Sequence, residues 1–390
     1  MTNIPGRLLV VDDVEMNRDL LARRLRQQGH AVETAENGRE ALERLRREEF
    51  DLVLLDVMMP EMDGYQVLEE LRADERLRGL PVIMVSALNE IESVVRCIEA
   101  GAEDYLPKPF NPVILRARVE ATLEKKRLRD QERLYAKSLE RELEIGRNIQ
   151  ASFLPETIPQ PAGWEVAACL EPARTVGGDV YDAFTLPGGR LGLVVADVCD
   201  KGVGAALFVA LFRSLLRVTA ERLDAGGGSM ADVVHGAVTL TNDYIARTHG
   251  RANMFATVFF AVLDPESGAL VWLNGGHEPA IVRRADGRLE RLEPTGGAVG
   301  LVEGAEFGFA EASLEPGDVL VAFTDGVTDA RNPSREFFGE PRLLALAEGD
   351  AASAAALLAA IESAVAAFAA GAPASDDIAI LVARRSGPRP

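Results

Sequence analysis

Carboxylates dominate the chemistry that this chain can offer. Sixty-one Asp and Glu residues stand against 42 Lys and Arg, giving a net charge of -19 at pH 7. The four histidines, His30, His235, His249 and His277, are scattered, and so are the three cysteines, Cys97, Cys169 and Cys199. This excludes an imidazole-rich metal cluster, a CxxC zinc site and a disulfide framework, so any metal must be held by oxygen. Two groups of acids are spaced for that purpose. Asp12-Asp13 and Asp56 each end a short apolar run, and Ser86 and Lys108 lie at the ends of two more. Further along stand Asp179 in "GGD", Asp197 in "VADVCDKG", Asp325 in "FTDGVTD" and Asp376-Asp377 in "SDDIAI". Several have a glycine or small neighbour, which lets backbone or metal approach closely. Separate carboxylates on short loops are what a pair of magnesium or manganese ions requires, and such a pair can aim an activated water at phosphorus. The strong negative charge repels phosphate backbones, so nucleic acid is not expected as a partner.

The first acidic group needs a parallel sheet to bring it together. "RLLVV", "DLVLL", "PVIMVSA" and "EDYLPKP" read as strands, and "NRDLLARRLRQQ", "GREALERLRREE", "GYQVLEELRAD" and "EIESVVRCIEAG" as amphipathic helices. Five strand-helix units predict an α/β doubly wound sheet over residues 1–122, with its site at the carboxyl ends of the strands. Three aspartates then share one crevice suited to magnesium. Across residues 123–152 both signs of charge interleave, without proline and almost without glycine, which predicts a long helix. Leu128, Tyr135 and Ile149 lie on one seven-residue track and Leu139, Gly146 and Phe153 on another, the pattern of a weak parallel coiled coil between two protomers. Pro155, Pro159 and Pro161 stop the helix. Over 153–390 the runs "GRLGLVVADV", "FATVFFAVLD", "GALVWLNGG", "DVLVAFTDG" and "DIAILVARR" read as strands. "GAALFVALFRSLLRVTAERL" and the alanine-rich stretch 351–370 read as helices, so an α+β layered fold is expected. An apolar fraction of 47% and a charged fraction of 26% are those of a soluble protein. No apolar run is read as approaching the ~20 residues of a membrane span, and a cytoplasmic location without membrane association is expected.

The motifs "VVDD", "LLDVMMPEMDG", "VSA" and "LPKPF", in this order, make residues 6–122 resemble the flavodoxin-like receiver domain of bacterial response regulators. The resemblance implies that Asp56 is the phosphoacceptor, taking phosphoryl from a sensor histidine kinase. Asp12, Asp13, Asp56 and the carbonyl of Met58 would hold Mg2+, Lys108 would pair with the phosphoryl oxygens, and Ser86 and Tyr105 would be the switch positions.

"GGDVYD" begins like the GGDEF signature of diguanylate cyclases, but the EF pair is absent. With "ELEIGRNIQASFLP", "VADVCDKGVGAAL", "MFATVFFAVLD", "NGGHEPA", "FTDGVTDARN", "FFGEPRL" and "SDDIAILV" it resembles instead the PPM-type (protein phosphatase 2C-like) family, in its bacterial sporulation and stress branch. The resemblance implies a sandwich of two antiparallel sheets flanked by helices and a phosphatase site for two Mn2+ or Mg2+ ions. Asp179, Asp197, the carbonyl of Val198, Asp325 and Asp376 are the implied ligands, with Asp376 preferred over Asp377. His277 is set aside as structural, and Arg174 is a candidate phosphate contact. The whole chain then reads as a two-component response regulator whose phosphorylation controls a metal-dependent serine/threonine phosphatase. Its substrate would be a phosphorylated anti-sigma factor antagonist in a partner-switching pathway, and its linker would join a homodimer. The rival reading is a phospho-dependent binding module with a weakly active or inactive phosphatase-like domain.

Overall fold

Leu8–Val11, Leu52–Leu55 and Val82–Val85 are buried along their whole length, as strands of a sheet covered on both faces must be. In the computed structural model these runs are central strands of a parallel sheet. The structure describes residues 5–87, 91–349 and 352–386, and counts of elements refer to those residues. Met1–Ile4, Glu90 at the head of one expected helix and Ala351 at the head of another lie outside them. The chain divides into two units, Met1–Leu139 and Glu140–Pro390.

In the first unit the order is β1 (Arg7–Val11), α1 (Glu15–Gln27), β2 (Ala31–Ala35), α2 (Gly38–Arg47), β3 (Leu52–Asp56), α3 (Gly64–Ala73), β4 (Val82–Ser86), α4 (Ile91–Glu99), β5 (Asp104–Pro107) and the start of α5 (Pro112–Phe153). The sheet order is β2-β1-β3-β4-β5, all parallel. One apolar layer packs each face, one centred on Leu42, Leu68 and Met84 and the other on Leu21, Leu25 and Leu115. β2, "AVETA", is not among the runs read as strands, because Glu33 and Thr34 interrupt its apolar pattern at the sheet edge. Asn37 caps α2 through the amide of Glu40, and Asp63 with Gln66 closes a capping box on α3. α5 runs unbroken for 42 residues, so the expected linker is all but the first turns of one helix that begins in the first unit and ends in the second. Leu128, Tyr135 and Ile149 on it are exposed.

The second unit contains β6 (Trp164–Glu171), β7 (Asp179–Thr185), β8 (Leu191–Val198), α6 (Val203–Ala225), α7 (Met230–His249), β9 (Ala256–Leu263), β10 (Ala269–Gly275), β11 (Ala280–Arg283), β12 (Leu289–Leu292), β13 (Ala310–Ser313), β14 (Val319–Phe323), α8 (Asp325–Thr328), α9 (Glu340–Glu348), α10 (Ala354–Ala369) and β15 (Ile378–Arg385). Two antiparallel sheets, β13-β10-β9-β8-β7 and β12-β11-β14-β15-β6, pack face to face around Leu193, Phe259, Leu320 and Leu381. α6 and α7 cover the first sheet through Phe208, Phe212 and Val234, and α9 and α10 cover the second through Leu343, Leu357 and Ile361. Asp179 is expected on a short loop, yet it already begins β7, and the bend ends at Gly178.

α6 corrects the reading of apolar runs. Among the described residues it is a helix long and apolar enough to cross a membrane, with mean hydropathy 1.6. Ala205, Phe208, Val209, Phe212, Leu216 and Ala220 nevertheless face the core. Arg213 pairs at 2.9 Å with Asp182, which is buried on β7, and this ion pair ties the helix to the sheet.

Phe212 is wholly buried and stacks near Phe208. Phe212→Ala is expected to destabilise the second unit by about 3–5 kcal/mol. Guanidinium unfolding of the full chain measures this, and a loss below about 1 kcal/mol would mean that the site collapses without a cavity.

Candidate functional site

In the first unit the sheet delivers its polar residues to one edge. β1 hands on to Asp12-Asp13, β3 ends at Asp56, β4 ends at Ser86, and Lys108 follows β5. Ligand oxygens of Asp12, Asp13 and Asp56 lie within 4.8 Å of one another. Asp12 and Asp56 are buried, and Asp13 and the side chain of Met58 are exposed. The Lys108 ammonium lies 2.7 Å from Asp12 Oδ2 and 2.9 Å from Asp56 Oδ1. Burial raises the pKa of Asp56, Lys108 opposes the rise, and Asp12 and Asp13 add to it. Burial also works against the charge on Lys108, but the two carboxylates outweigh it and its pKa is raised. Tyr105 and Ser86 are buried, and the Tyr105 hydroxyl donates to the Ser86 carbonyl at 3.5 Å. Gly64 must be glycine, because a Cβ there would overlap the carbonyl oxygen of Asp56.

In the second unit a different arrangement of acids forms at the ends of β7, β8, β14 and β15. Asp179 and Asp197 are cross-strand partners on β7 and β8. Asp325 opens α8 directly after β14, and Asp376-Asp377 precede β15. The Val198 amide donates to the Gly178 carbonyl at 3.1 Å, and a Cβ on Gly178 would stand 2.8 Å from the Val198 carbonyl oxygen. That position therefore needs glycine to keep the two strand ends together. Burial, then Asp197, push the Asp179 carboxyl well above its ordinary range, and Thr324 partly opposes them. Burial lifts Asp197 to about 6, with Asp325, Asp376 and Asp377 adding to the lift against a hydrogen bond from Asp179. Asp325 is raised by burial and then by Asp376 and Asp329.

The doublet separates into two roles. Asp377 is buried and accepts from the amides of Ala173, at 2.7 Å, and Gly178, at 2.6 Å, so it holds the loop that leads into Asp179. Asp376 is half-buried, and its Oδ2 meets Lys201 Nζ at 2.7 Å. Asp376 Oδ1 accepts only from the adjacent Asp377 amide, at 3.0 Å, among the described residues, and Asp376 is the more exposed member of the doublet. Lys201, which also reaches the Ser375 carbonyl at 3.1 Å, and Thr324 had no assigned role. The "DKG" following Asp197 was the available sign of the lysine.

Asp179 Oδ2 is buried without a hydrogen-bond partner. An orphaned carboxylate oxygen beside three further acids is a donor set that fits a hard divalent cation. His277 is buried, its Nδ1 is 2.8 Å from Thr257 Oγ1, and its amide donates to Asn274 Oδ1 at 2.8 Å, which makes it a structural residue. Arg174 is exposed.

Comparison with known proteins divides the chain in the same way. The response regulator receiver domain family matches residues 8–120, and the family described as Stage II sporulation protein E (SpoIIE) matches residues 187–386, over half of the chain. Protein IcfG of Synechocystis sp. is 46% identical over 221 residues, covering 52% of this chain and 35% of that protein. Response regulator MprA of Mycolicibacterium vanbaalenii is 43% identical over 120 residues, covering 31% of this chain and 51% of its own length. The chain thus spans between about a third and a half of these curated relatives. The SiaA-PP2C domain of Pseudomonas aeruginosa superposes with a TM-score of 0.54 at 20% identity, covering 64% of this chain and 98% of that one, a likeness of fold.

Asp377→Ala leaves two backbone amides without their acceptor, at about 1–3 kcal/mol each where they are buried, whereas Asp376→Ala removes a carboxylate from a cluster of like charges. Thermal unfolding should show a clear drop for the first and little change or a gain for the second. Equal losses would mean that the doublet acts as one structural unit.

Burial depresses the His277 pKa to about 4. The fold therefore favours its neutral form. This stabilisation is complete above the unfolded value near 6.5 and is lost as pH falls from there toward 4, roughly 3 kcal/mol in all. The stability difference between the wild type and His277→Gln, followed by denaturant unfolding from pH 7.5 to 4.5, should shrink along that window. A pH-independent difference would contradict this assignment.

Proposed function

From the premise that the chain belongs to the Stage II sporulation protein E family, with a receiver domain ahead of its PPM-type phosphatase domain, we propose that it is a response regulator whose output is metal-dependent dephosphorylation of phosphoserine or phosphothreonine proteins. The observation that carries this reading is the convergence of four acidic segments on the buried, partnerless Asp179 Oδ2. Asp179, Asp197, the Val198 carbonyl, Asp325 and Asp376 would hold Mn2+ or Mg2+. Bound there, such ions supply Lewis acidity and lower the pKa of water. The chain's own residues do the rest. β7 and β8 fix Asp179 opposite Asp197, Gly178 allows the strand ends to meet, and Asp377 holds the entering loop. Lys201 is placed to turn from Asp376 toward a phosphate, because the acid that it pairs with is one that a cation would claim.

At the receiver, an Asp56 oxygen attacks phosphorus, the bond to the kinase histidine breaks, and an acyl phosphate forms. Lys108 holds Asp56 as the anionic nucleophile and stays within reach of the added oxygens. Asp12, Asp13 and the Met58 carbonyl would complete an Mg2+ site, whose two side-chain members stand beside Asp56. Ser86 and Tyr105, joined across β4 and β5, are the proposed switch pair. The substrate class follows from the sporulation and stress resemblance: a phosphorylated anti-sigma factor antagonist in the cytoplasm. The exposed Leu128, Tyr135 and Ile149 on α5 support dimerisation through this helix.

The test is manganese-dependent hydrolysis of a phosphoserine protein by the wild type, Asp325→Ala and Asp56→Asn, with and without a small phosphodonor. Asp325→Ala is expected to lose at least about 100-fold in rate, a loss of the order that follows removal of a charge-stabilising group. The donor should change the wild-type rate and leave Asp56→Asn unaffected. Absence of turnover in every case would favour the phospho-dependent binding module instead.

A further inference from the structure

The last turns of α5 reach the backbone that carries Asp179. Gln150 is buried in a helix whose neighbouring residues Arg147, Asn148, Ile149 and Ala151 are all exposed. Its Nε2 donates to the Gly177 carbonyl at 2.7 Å, and the Gly177 amide donates to its Oε1 at 3.0 Å. One side-chain amide thus takes both polar groups of a single residue, the pairing that a neighbouring strand would make. Gly146 and Leu154, four residues to either side, share that helix face. A Cβ on Gly146 would lie 3.6 Å from Val176 Cγ1, so a small residue there lets the helix approach the buried Val176. Leu154 packs into the apolar layers on both sides of the first sheet.

Gly177 is confined from the opposite side as well. A Cβ there would overlap the Asp377 carboxylate, and the next amide, Gly178, is bound to Asp377 Oδ2. Gly178 in turn leads directly into Asp179. Two glycines between a helix-borne amide and a fixed carboxylate leave the turn little stiffness of its own. Its position is set by those two partners.

We propose that Gln150 is a positioning residue for the turn Gly177–Asp179, so that the seating of the end of α5 sets the affinity of the acidic site for divalent metal. The inference rests on the phosphatase reading above and names how that site would be regulated. Since α5 begins at Pro112, within the receiver unit, a change in how this helix is held is passed to Asp179 through one side chain.

Manganese binding to the full-length chain is measured by titration calorimetry for the wild type, Asp325→Ala, Gln150→Met and Gly146→Leu. Asp325→Ala identifies the binding component that belongs to the acidic site, and the receiver's own component is an unchanged internal reference. Gln150→Met preserves length and volume and removes both hydrogen bonds. Gly146→Leu leaves Gln150 in place and props the helix off Val176. Both are expected to weaken the Asp325-dependent component about tenfold or more, the usual effect of losing a partner that orients metal ligands. The manganese concentration for half-maximal hydrolysis should shift in parallel, with little change in the rate at saturating metal. If Gln150→Met fails to fold, Gly146→Leu carries the test. Retention of wild-type affinity by the variants, with Asp325→Ala losing the component, overturns the role of Gln150 and leaves the phosphatase reading standing. An isotherm unaltered by Asp325→Ala overturns both.

Discussion

Everything in the second unit depends on holding carboxylates together that repel one another. Asp179, Asp197 and Asp325 are all pushed toward protonation by burial first and then by neighbouring carboxylates. Left on flexible loops such groups would move apart into water, since each unit of upward shift is about 1.4 kcal/mol of unfavourable charge. They stay because backbone bonds, not side-chain partners, fix them. Asp179 and Asp197 are locked by ladder register, Asp325 by the start of α8, and the Thr324 side chain ties β14 to the Ala379 amide at 2.9 Å. The ladder thus holds the acid cluster together against its own repulsion.

The receiver meets the same problem on a smaller scale and answers it differently. Its buried acids Asp12 and Asp56 share a lysine from the same sheet edge. One positive charge between two negative ones leaves Asp56 only partly shielded, and its pKa stays raised by burial, while in the larger cluster one oxygen, Asp179 Oδ2, has no hydrogen-bond partner among the described residues. The charge balance differs accordingly, with one cation for two acids at the receiver's sheet edge against one exposed lysine for several acids in the second unit.

How much of this was legible in the sequence depends on the range of the interactions. The receiver's central strands declare themselves by continuous apolar runs, and every acid quoted from the sequence stands at a strand end in the structure. β2, β6, β7 and β11 to β13 did not, because they lie at or next to sheet edges and carry mixed patterns that burial on one face permits. The strand start at Asp179 was not legible because "GGDVYD" carries no continuous apolar run, and it is pairing with Asp197 on the next strand, β8, that places Asp179 in the ladder. The different roles of Asp376 and Asp377 could be preferred but not explained, since what distinguishes them is two amides some two hundred residues away. Gln150 was quoted within a motif and given no task, for the same reason: its partner, Gly177, is set by tertiary packing.

These long-range contacts bear on control. A rigid metal site would give a receiver nothing to act on, and a loose one would not bind metal. Asp197 lies within the ladder and Asp325 at a helix start, whereas Asp179 is the first residue of β7 and follows a glycine pair held by one glutamine and one aspartate, so a change of a few kcal/mol could act on that single element. The Asp377 side is anchored in β15, which pairs along its whole length with β6. The Gln150 side belongs to α5, with most of its length exposed. Of the two hands on the turn, one is held along a ladder and the other is a helix with most of its surface exposed, and under the proposal above that asymmetry would give the direction in which a signal travels.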